Sequence, residues 1–110
     1  MTKEEFLSFH DQCTAKMRAI TEAKGHDYSS GNYQFGNFEV VAACGICSAE
    51  TGFLTRMMDK MCRVTSFVSQ GVLKVKDESV EDTLLDLANY SILLAAYIKH
   101  KRGQNVQSPR

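Results

Sequence analysis

Residues 78–98 (ESVEDTLLDLANYSILLAAYI) constrain the fold most, because from Leu84 onward they are apolar nearly all the way round a helix. That pattern is typical of a central, buried helix. The exceptions are polar residues that share about 100° of the helix circumference: Asp82, Asp86, Asn89 and Tyr90. A buried carboxylate is costly without a partner. The sequence therefore predicts that a metal ion, a base, a ligand or cleft water faces this stripe.

The first part of the chain predicts one helix and one long loop. Residues 3–23 carry apolar side chains at three- and four-residue intervals, and Thr2 with Glu5 is typical of a capping box. Residues 24–37 lack apolar periodicity and hold three of the seven glycines. A loop of that length favours a binding role, although an ordered surface loop with its tyrosines packed on the core is the alternative.

Two more helices are expected next. Residues 37–47 favour a short helix, although VVAA is also compatible with a strand. Residues 49–70 predict a longer one, with Ser48 as its N-cap and Gly71 as its C-terminal glycine. Residues 72–77 alternate like a short extended link. One face of the longer helix is apolar and the opposite side is charged; the apolar face holds Phe53, Leu54, Met57, Met61, Val64 and Val68.

The last helix is expected to start near Ser79, which with Asp82 forms a weak capping box, and to end at Gly103. A first-turn aspartate is also common for the helix dipole alone, so Asp86 is the stronger functional candidate of the two. The fold prediction is an all-α, four-helix bundle in one domain, residues 1–103, with a flexible tail at 104–110. A chain of 110 residues builds only a modest core, which favours completion by a second copy.

Charge and cysteine content restrict the partners. Thirteen basic and thirteen acidic residues give no net charge, so no global field gathers nucleic acid or an anionic membrane. The N-terminus, MTKEEF, does not resemble a signal peptide, and a cytoplasmic location is expected. Cys13, Cys44, Cys47 and Cys62 are expected to be reduced thiols. Cys44 and Cys47 form a CxxC pair, whose redox or zinc role is the less favoured alternative.

Acidic residues on two facing helices are a common way to hold Mg²⁺. The candidate ligands are Glu50, Asp59, Asp82 and Asp86, with Asp86 and Asp59 as the catalytic pair. Glu50 projects onto the apolar face of its helix, so it lies at an open end of the bundle or points at something positive. The alternative is an internal salt-bridge network that pairs Asp59 and Asp86 with nearby bases and needs no ligand.

A nucleotide would need further side chains around these carboxylates. Basic residues would neutralise phosphate, an amide would contact the ligand, and an aromatic ring would stack on a base. These residues are Lys24, Arg56, Lys60, Arg63, Asn89, Tyr28 and Tyr33.

Four segments resemble the phage and bacterial family called the nucleotide modification associated domain: KGHDY, FGNF, RMMDKMCR and ESVEDTLLDLANYSILLAAY. The resemblance covers roughly residues 20–100. That family is more remotely similar to the MazG-type all-α nucleoside triphosphate pyrophosphohydrolases, which bind Mg²⁺ through an EExxE helix and a later ExxD helix and release pyrophosphate. The resemblance implies that Asp86 takes the place of the ExxD aspartate.

Two departures bear on catalysis. Thr83 stands where the ExxD glutamate is expected, and the third helix offers Glu50 and Asp59 without an EExxE motif. The first hypothesis is a Mg²⁺-dependent pyrophosphohydrolase acting on (d)NTP pools in a phage setting. The second is a non-catalytic protein that sequesters a linear or cyclic signalling nucleotide. The third is a helical protein–protein module or dimer, with which Met57, Met58 and Met61 are compatible.

Overall fold

The computed structural model describes residues 1–28, 35–71 and 79–106, and the side chains of all of these except 24–28 and 105–106. Four helices account for most of them, and the described residues include no strand. The prediction of an all-α fold is confirmed. In chain order the helices are α1 (Lys3–Tyr28), α2 (Gly36–Ala43), α3 (Ala49–Gln70) and α4 (Val80–Val106).

The chain forms two compact units, Met1–Gly36 and Asn37–Arg110, and each is described by itself. The first unit contains α1, and the second contains α2, α3 and α4. The single domain over residues 1–103 stays a prediction.

Helix α1 begins as the sequence predicts and ends later. The backbone N–H of Glu5 donates to Thr2 Oγ1 and that of Thr2 donates to Glu5 Oε2, both at 3.1 Å, so the capping box is present. The predicted end at residue 23 is wrong, because the helix continues to Tyr28. A single helical glycine, here Gly25, costs only about 1 kcal/mol relative to alanine, which neighbouring turns can offset.

The predicted loop at 24–37 is therefore shorter than expected. Its first five residues belong to α1, and its last two, Gly36 and Asn37, open α2. Tyr33 lies outside the described residues, as do the side chains of Lys24 and Tyr28. The roles assigned to these three residues stay predictions, as does the extended link at 72–77, which is also outside the described residues.

Helix α2 is the short helix expected for residues 37–47, but it stops at Ala43. A turn follows, in which Gly45 has a φ of 76° and its N–H donates to Ala42 O at 3.0 Å. Glycine suits this left-handed conformation because it has no Cβ. Cys44 and Cys47 flank the turn as free thiols, Cys44 exposed and Cys47 half-buried.

Helix α3 has the predicted bounds and caps. Ser48 Oγ accepts from the Thr51 N–H at 3.1 Å, and Gly71 has a φ of 76° while its N–H donates to Phe67 O at 2.7 Å. Both ends thus satisfy backbone groups that a helix leaves without partners. At the start of α4, Ser79 Oγ accepts from the Asp82 N–H at 3.1 Å, which confirms Ser79 as a cap.

Helices α3 and α4 pack as an antiparallel pair. Residue numbers on α4 fall as those on α3 rise, since Phe53 lies against Tyr97 and Lys60 against Asp86. The core of this pair is small. Its buried residues are Ala49, Phe53, Thr83 and Tyr97.

The aromatic residues of this core join α2 to the pair. The Phe38 ring of α2 stacks on Phe53 with centroids 3.7 Å apart, and Tyr97 lies on Phe53 with centroids 5.5 Å apart. The Thr83 hydroxyl donates to Ser79 O at 3.4 Å, one turn back, which satisfies a polar group inside this apolar setting.

Helix α4 differs from its prediction in two ways. It does not end at Gly103 but continues to Val106, because a helical glycine without a left-handed conformation does not stop a helix. It is also less buried than expected, since Leu84, Ile92 and Ile98 are exposed. None of the helices in the described part of the chain is long and apolar enough to cross a membrane.

Candidate functional site

An ion pair between α3 and α4 lies at the centre of the candidate site. Lys60 Nζ is 3.3 Å from Asp86 Oδ2, and the two side chains are only 15% and 18% exposed. Lys60 is on the α4-facing side of α3, and Asp86 is the polar residue that α4 presents at the same level. The stripe on α4 thus faces a base, one of the four partners that the sequence allows.

The other residues of the stripe are partly sheltered as well. Asp82, Asn89 and Tyr90 are all half-buried. The Asp82 backbone N–H bonds to Ser79, so this residue belongs to the capped first turn of α4. Asn89 is three residues beyond Asp86, which places the two side chains on neighbouring positions of one helix face.

A basic stripe runs along α3 beside this pair. Arg56, Lys60 and Arg63 follow one another at four- and three-residue spacing, and they share about 60° of the helix circumference. Arg56 is exposed, whereas the side chains of Lys60 and Arg63 are largely buried. Arg63 Nη2 lies 3.3 Å from Asp59 Oδ2, one turn earlier on the same helix.

The fourth carboxylate of interest, Glu50, lies at the other end of the pair. Its Oε2 accepts a hydrogen bond from Lys101 Nζ at 2.9 Å. This bond lowers the pKa of Glu50 and raises that of Lys101. The Lys101 ammonium also lies 5.8 Å from the centroid of the Tyr97 ring, whose pKa is raised by burial. Glu50 therefore points at something positive.

The sequence did not identify Lys101 as that partner. Lys101 lies within the helix that the sequence predicts to end at Gly103, and it belongs to α4, but nothing in the sequence around it indicates that it faces Glu50. Spacing within one helix cannot find this contact, because Glu50 and Lys101 are 51 residues apart. An acidic residue on an apolar helix face is the one signal that indicated it.

Within one chain, the predicted metal ligands Glu50, Asp59, Asp82 and Asp86 do not form a common site. Among the residues that the structure describes, no group of three or more His, Cys, Asp or Glu side chains is arranged to hold a metal ion. Mg²⁺ prefers a nearly octahedral set of oxygen ligands. Asp86, Asp59 and Glu50 each lie instead against a basic side chain. This arrangement does not fit the metal site that the resemblance implies.

The fold and the site define an all-α protein whose α3–α4 pair holds a sheltered ion pair beside a basic stripe. Comparisons of the chain with family models, with curated proteins and with solved structures found no significant match. The resemblance to the nucleotide modification associated domain thus stays a prediction made from the sequence motifs.

Proposed function

We propose that the protein binds a nucleotide without a metal ion and holds its phosphates on the basic stripe of α3. The observation that carries this proposal is the line of Arg56, Lys60 and Arg63, three bases on one side of a capped helix. Arginine presents a planar fork of donors to phosphate oxygens, and lysine adds a compact charge. Phosphate would bind at the exposed end of the stripe and extend towards Lys60.

The α4 side of the site supplies groups for the rest of the ligand. Asp86 accepts hydrogen bonds, and Asn89 both donates and accepts them. Both are partly buried, so water competes less there than at an open surface. A bound phosphate would share Lys60 with Asp86, and the ion pair keeps the lysine positioned when no ligand is bound.

The pairing of the carboxylates favours binding over hydrolysis. Asp86, Asp59 and Glu50 each lie within 3.3 Å of a basic nitrogen, which neutralises charge that Mg²⁺ would otherwise use. A site with more bases than available carboxylates suits direct contact with phosphate. The proposed biological task is to sequester a nucleotide, with a cyclic signalling nucleotide as one candidate.

Isothermal titration of the full chain with a panel of linear and cyclic nucleotides tests this proposal. For the nucleotide that binds, Arg56→Ala and Arg63→Ala should each weaken affinity about tenfold or more, the loss of one charge-assisted contact. Arg102→Ala, on exposed α4 surface, is the matched control and should change affinity little. EDTA should have no effect. Binding that EDTA abolishes, or that Arg102→Ala weakens as much, contradicts the proposal.

A Mg²⁺-dependent pyrophosphohydrolase is the second candidate, favoured by Asp82 and Asp86 one turn apart on α4. Its test is pyrophosphate release from each NTP and dNTP, with and without Mg²⁺. Metal-dependent release that Asp86→Asn abolishes would establish the enzyme and replace the sequestration proposal. Absence of release from any substrate, together with tight binding, would support sequestration.

A further inference from the structure

The α3–α4 pair leaves large apolar side chains exposed on both helices. On α3, Leu54, Met58, Met61 and Val68 are between 46% and 77% exposed. Thr65 completes a spacing of four, three, four and three residues, which is the spacing of helices that pack along a seam. On α4 the same spacing begins at Leu84, 44% exposed, and ends at Ile98, 37% exposed, with the small residues Ala88, Ser91 and Ala95 between them.

Both rows lie on the same side of the pair. On α3, the row is displaced by about 100° from Phe53 and Lys60, which contact α4. On α4, the row is displaced in the same rotational sense by about 130° from the residues that contact α3. Because the two helices are antiparallel, rotations of the same sense and similar size bring the two rows to one side. They form one surface, here called the open face.

The open face is defined by its six large, exposed side chains. These are Leu54, Met58, Met61, Val68, Leu84 and Ile98.

The open face carries no charged side chain between residues 54 and 68 of α3 or between residues 84 and 98 of α4. The charged residues of α3 between Leu54 and Val68 all project from the opposite half of the helix: Arg56, Asp59, Lys60 and Arg63. Between Leu84 and Ile98 the only charged residue of α4 is Asp86, which faces Lys60. Depletion of charge is the compositional mark of the core of a protein interface.

The size of the open face matches a dimer interface. Six side chains of this type at these exposures leave roughly 500 Å² of apolar surface. A standard interface buries about 800 Å² on each partner, of which about 65% is apolar in homodimers, or about 520 Å². The open face therefore supplies the apolar area that a stable dimer of this chain needs.

We infer that a second copy of the chain covers the open face, so that α3 and α4 of two copies form a four-helix interface with two-fold symmetry. The seam spacing specifies a helix as the occupant, and the face itself consists of two such helices. A two-fold interface uses the same patch on both subunits, so an uncharged patch with this spacing is complementary to itself. The inference does not depend on the proposed nucleotide site, which lies on the charged halves of the helices.

Sedimentation equilibrium of the full chain, from low to high micromolar concentration, tests the inference. The unchanged protein should be a dimer. Met58→Glu should be a monomer with unchanged helical circular dichroism, because Met58 is 61% exposed in a single chain. Val40→Glu is the matched control: Val40 is 60% exposed on α2, outside the open face, and its variant should remain a dimer.

A milder variant guards against misfolding. Met58→Ala adds no charge and should raise the dimer dissociation constant about tenfold, as expected for a buried interface side chain. A monomer at every concentration overturns the inference, whatever other partner the face then has. A dimer that Met58→Glu and Met58→Ala leave intact, or that Val40→Glu disrupts as well, also overturns it.

Discussion

The ion pair between Lys60 and Asp86 makes a prediction whose size follows from its geometry. Two unit charges 3.3 Å apart attract each other by about 5 kcal/mol at an effective dielectric constant of about 20 and by about 1.3 kcal/mol in bulk water. Both side chains are more than four-fifths buried, so the environment lies between these limits. Desolvation and side-chain entropy oppose the attraction. We expect a coupling free energy of about 2 kcal/mol.

A double-mutant cycle measures this coupling. The free energy of unfolding is determined by urea denaturation, at one fixed protein concentration, for Asp86→Asn, Lys60→Met and the double variant. Each single variant leaves one sheltered group without its charged partner and should lose about 2 kcal/mol. The double variant should be more stable than the sum of the two losses predicts, by about the coupling energy.

The chain provides a matched control pair. Arg18 Nε and Glu22 Oε1 are 2.9 Å apart on α1, closer than Lys60 and Asp86, but the two side chains are 79% and 65% exposed. Their coupling should be about 0.3–0.5 kcal/mol, as for other exposed pairs at this helical spacing. If the cycle gave the same small value for Lys60 and Asp86, the site would not be sheltered, and the reasoning from burial would be refuted.

Three other predictions concern stability. Phe53→Ala should lower the free energy of unfolding by about 3–5 kcal/mol in urea denaturation, because this fully buried ring stacks on Phe38 and packs against the tilted ring of Tyr97. Gly71→Ala should lower the Tm by several degrees, because Gly71 has a φ of 76°, which alanine adopts only with strain. Gly103→Ala should raise the Tm, because Gly103 is helical and the added Cβ would meet no side chain of the described residues within 4 Å. The hydrogen bond from Lys101 lowers the pKa of Glu50 from its ordinary value of 4.5. The stability that Glu50 contributes is therefore fully present above pH 4.5, and it is lost as the pH falls through the lowered pKa. Glu50→Gln should make the Tm of the protein less dependent on acidic pH, by a small amount because the pair is half-exposed.

Each of the three stability predictions would be contradicted by a specific result. A loss below about 1 kcal/mol for Phe53→Ala would mean that the ring is not the centre of the core. A Tm that moves in the same direction in both glycine variants would contradict the different conformations of Gly71 and Gly103. An acid profile that Glu50→Gln leaves unchanged would show that its bond to Lys101 adds nothing to stability.

The sequence predicted best where local chemistry decides the structure. Thr2, Ser48 and Gly71 each lie beside a helix end, and the hydrogen bonds that define these ends involve residues only three or four positions away. Such contacts depend little on the rest of the fold, so pattern and cap together located α3 to the residue.

The sequence predicted less well where one signal has two meanings. Gly25 and Gly103 resemble helix ends, but both are helical, because a glycine stops a helix only when the chain leaves the helical conformation there. The apolar surface of α4 indicates burial without saying what covers it. In one chain Leu84 and Ile92 remain exposed, which periodicity along a single helix cannot reveal.

In the candidate site, too, the sequence predicted what one helix determines but not what tertiary structure determines. The stripe on α4 followed from helical geometry alone, and its need for a partner followed from the cost of a buried charge. The identity of that partner required tertiary structure, since Lys60 and Asp86 are on different helices. Sequence reasoning named the pairing of Asp86 with a base as the alternative to a metal site, and this contact is the one present.

Gly52 has a consequence for how α2 is attached. A Cβ at this position would lie 3.3 Å from Phe38 Cδ1, and the Phe38 ring is already stacked 3.7 Å from Phe53. The ring therefore has little room to move aside, and a library of substitutions at position 52 should recover mainly glycine. An eight-residue helix is too short to persist alone, so the stacking of Phe38 on Phe53 helps to hold α2 in place. In alanine or larger variants at position 52, the amide protons of α2 should exchange with solvent well before those of α3.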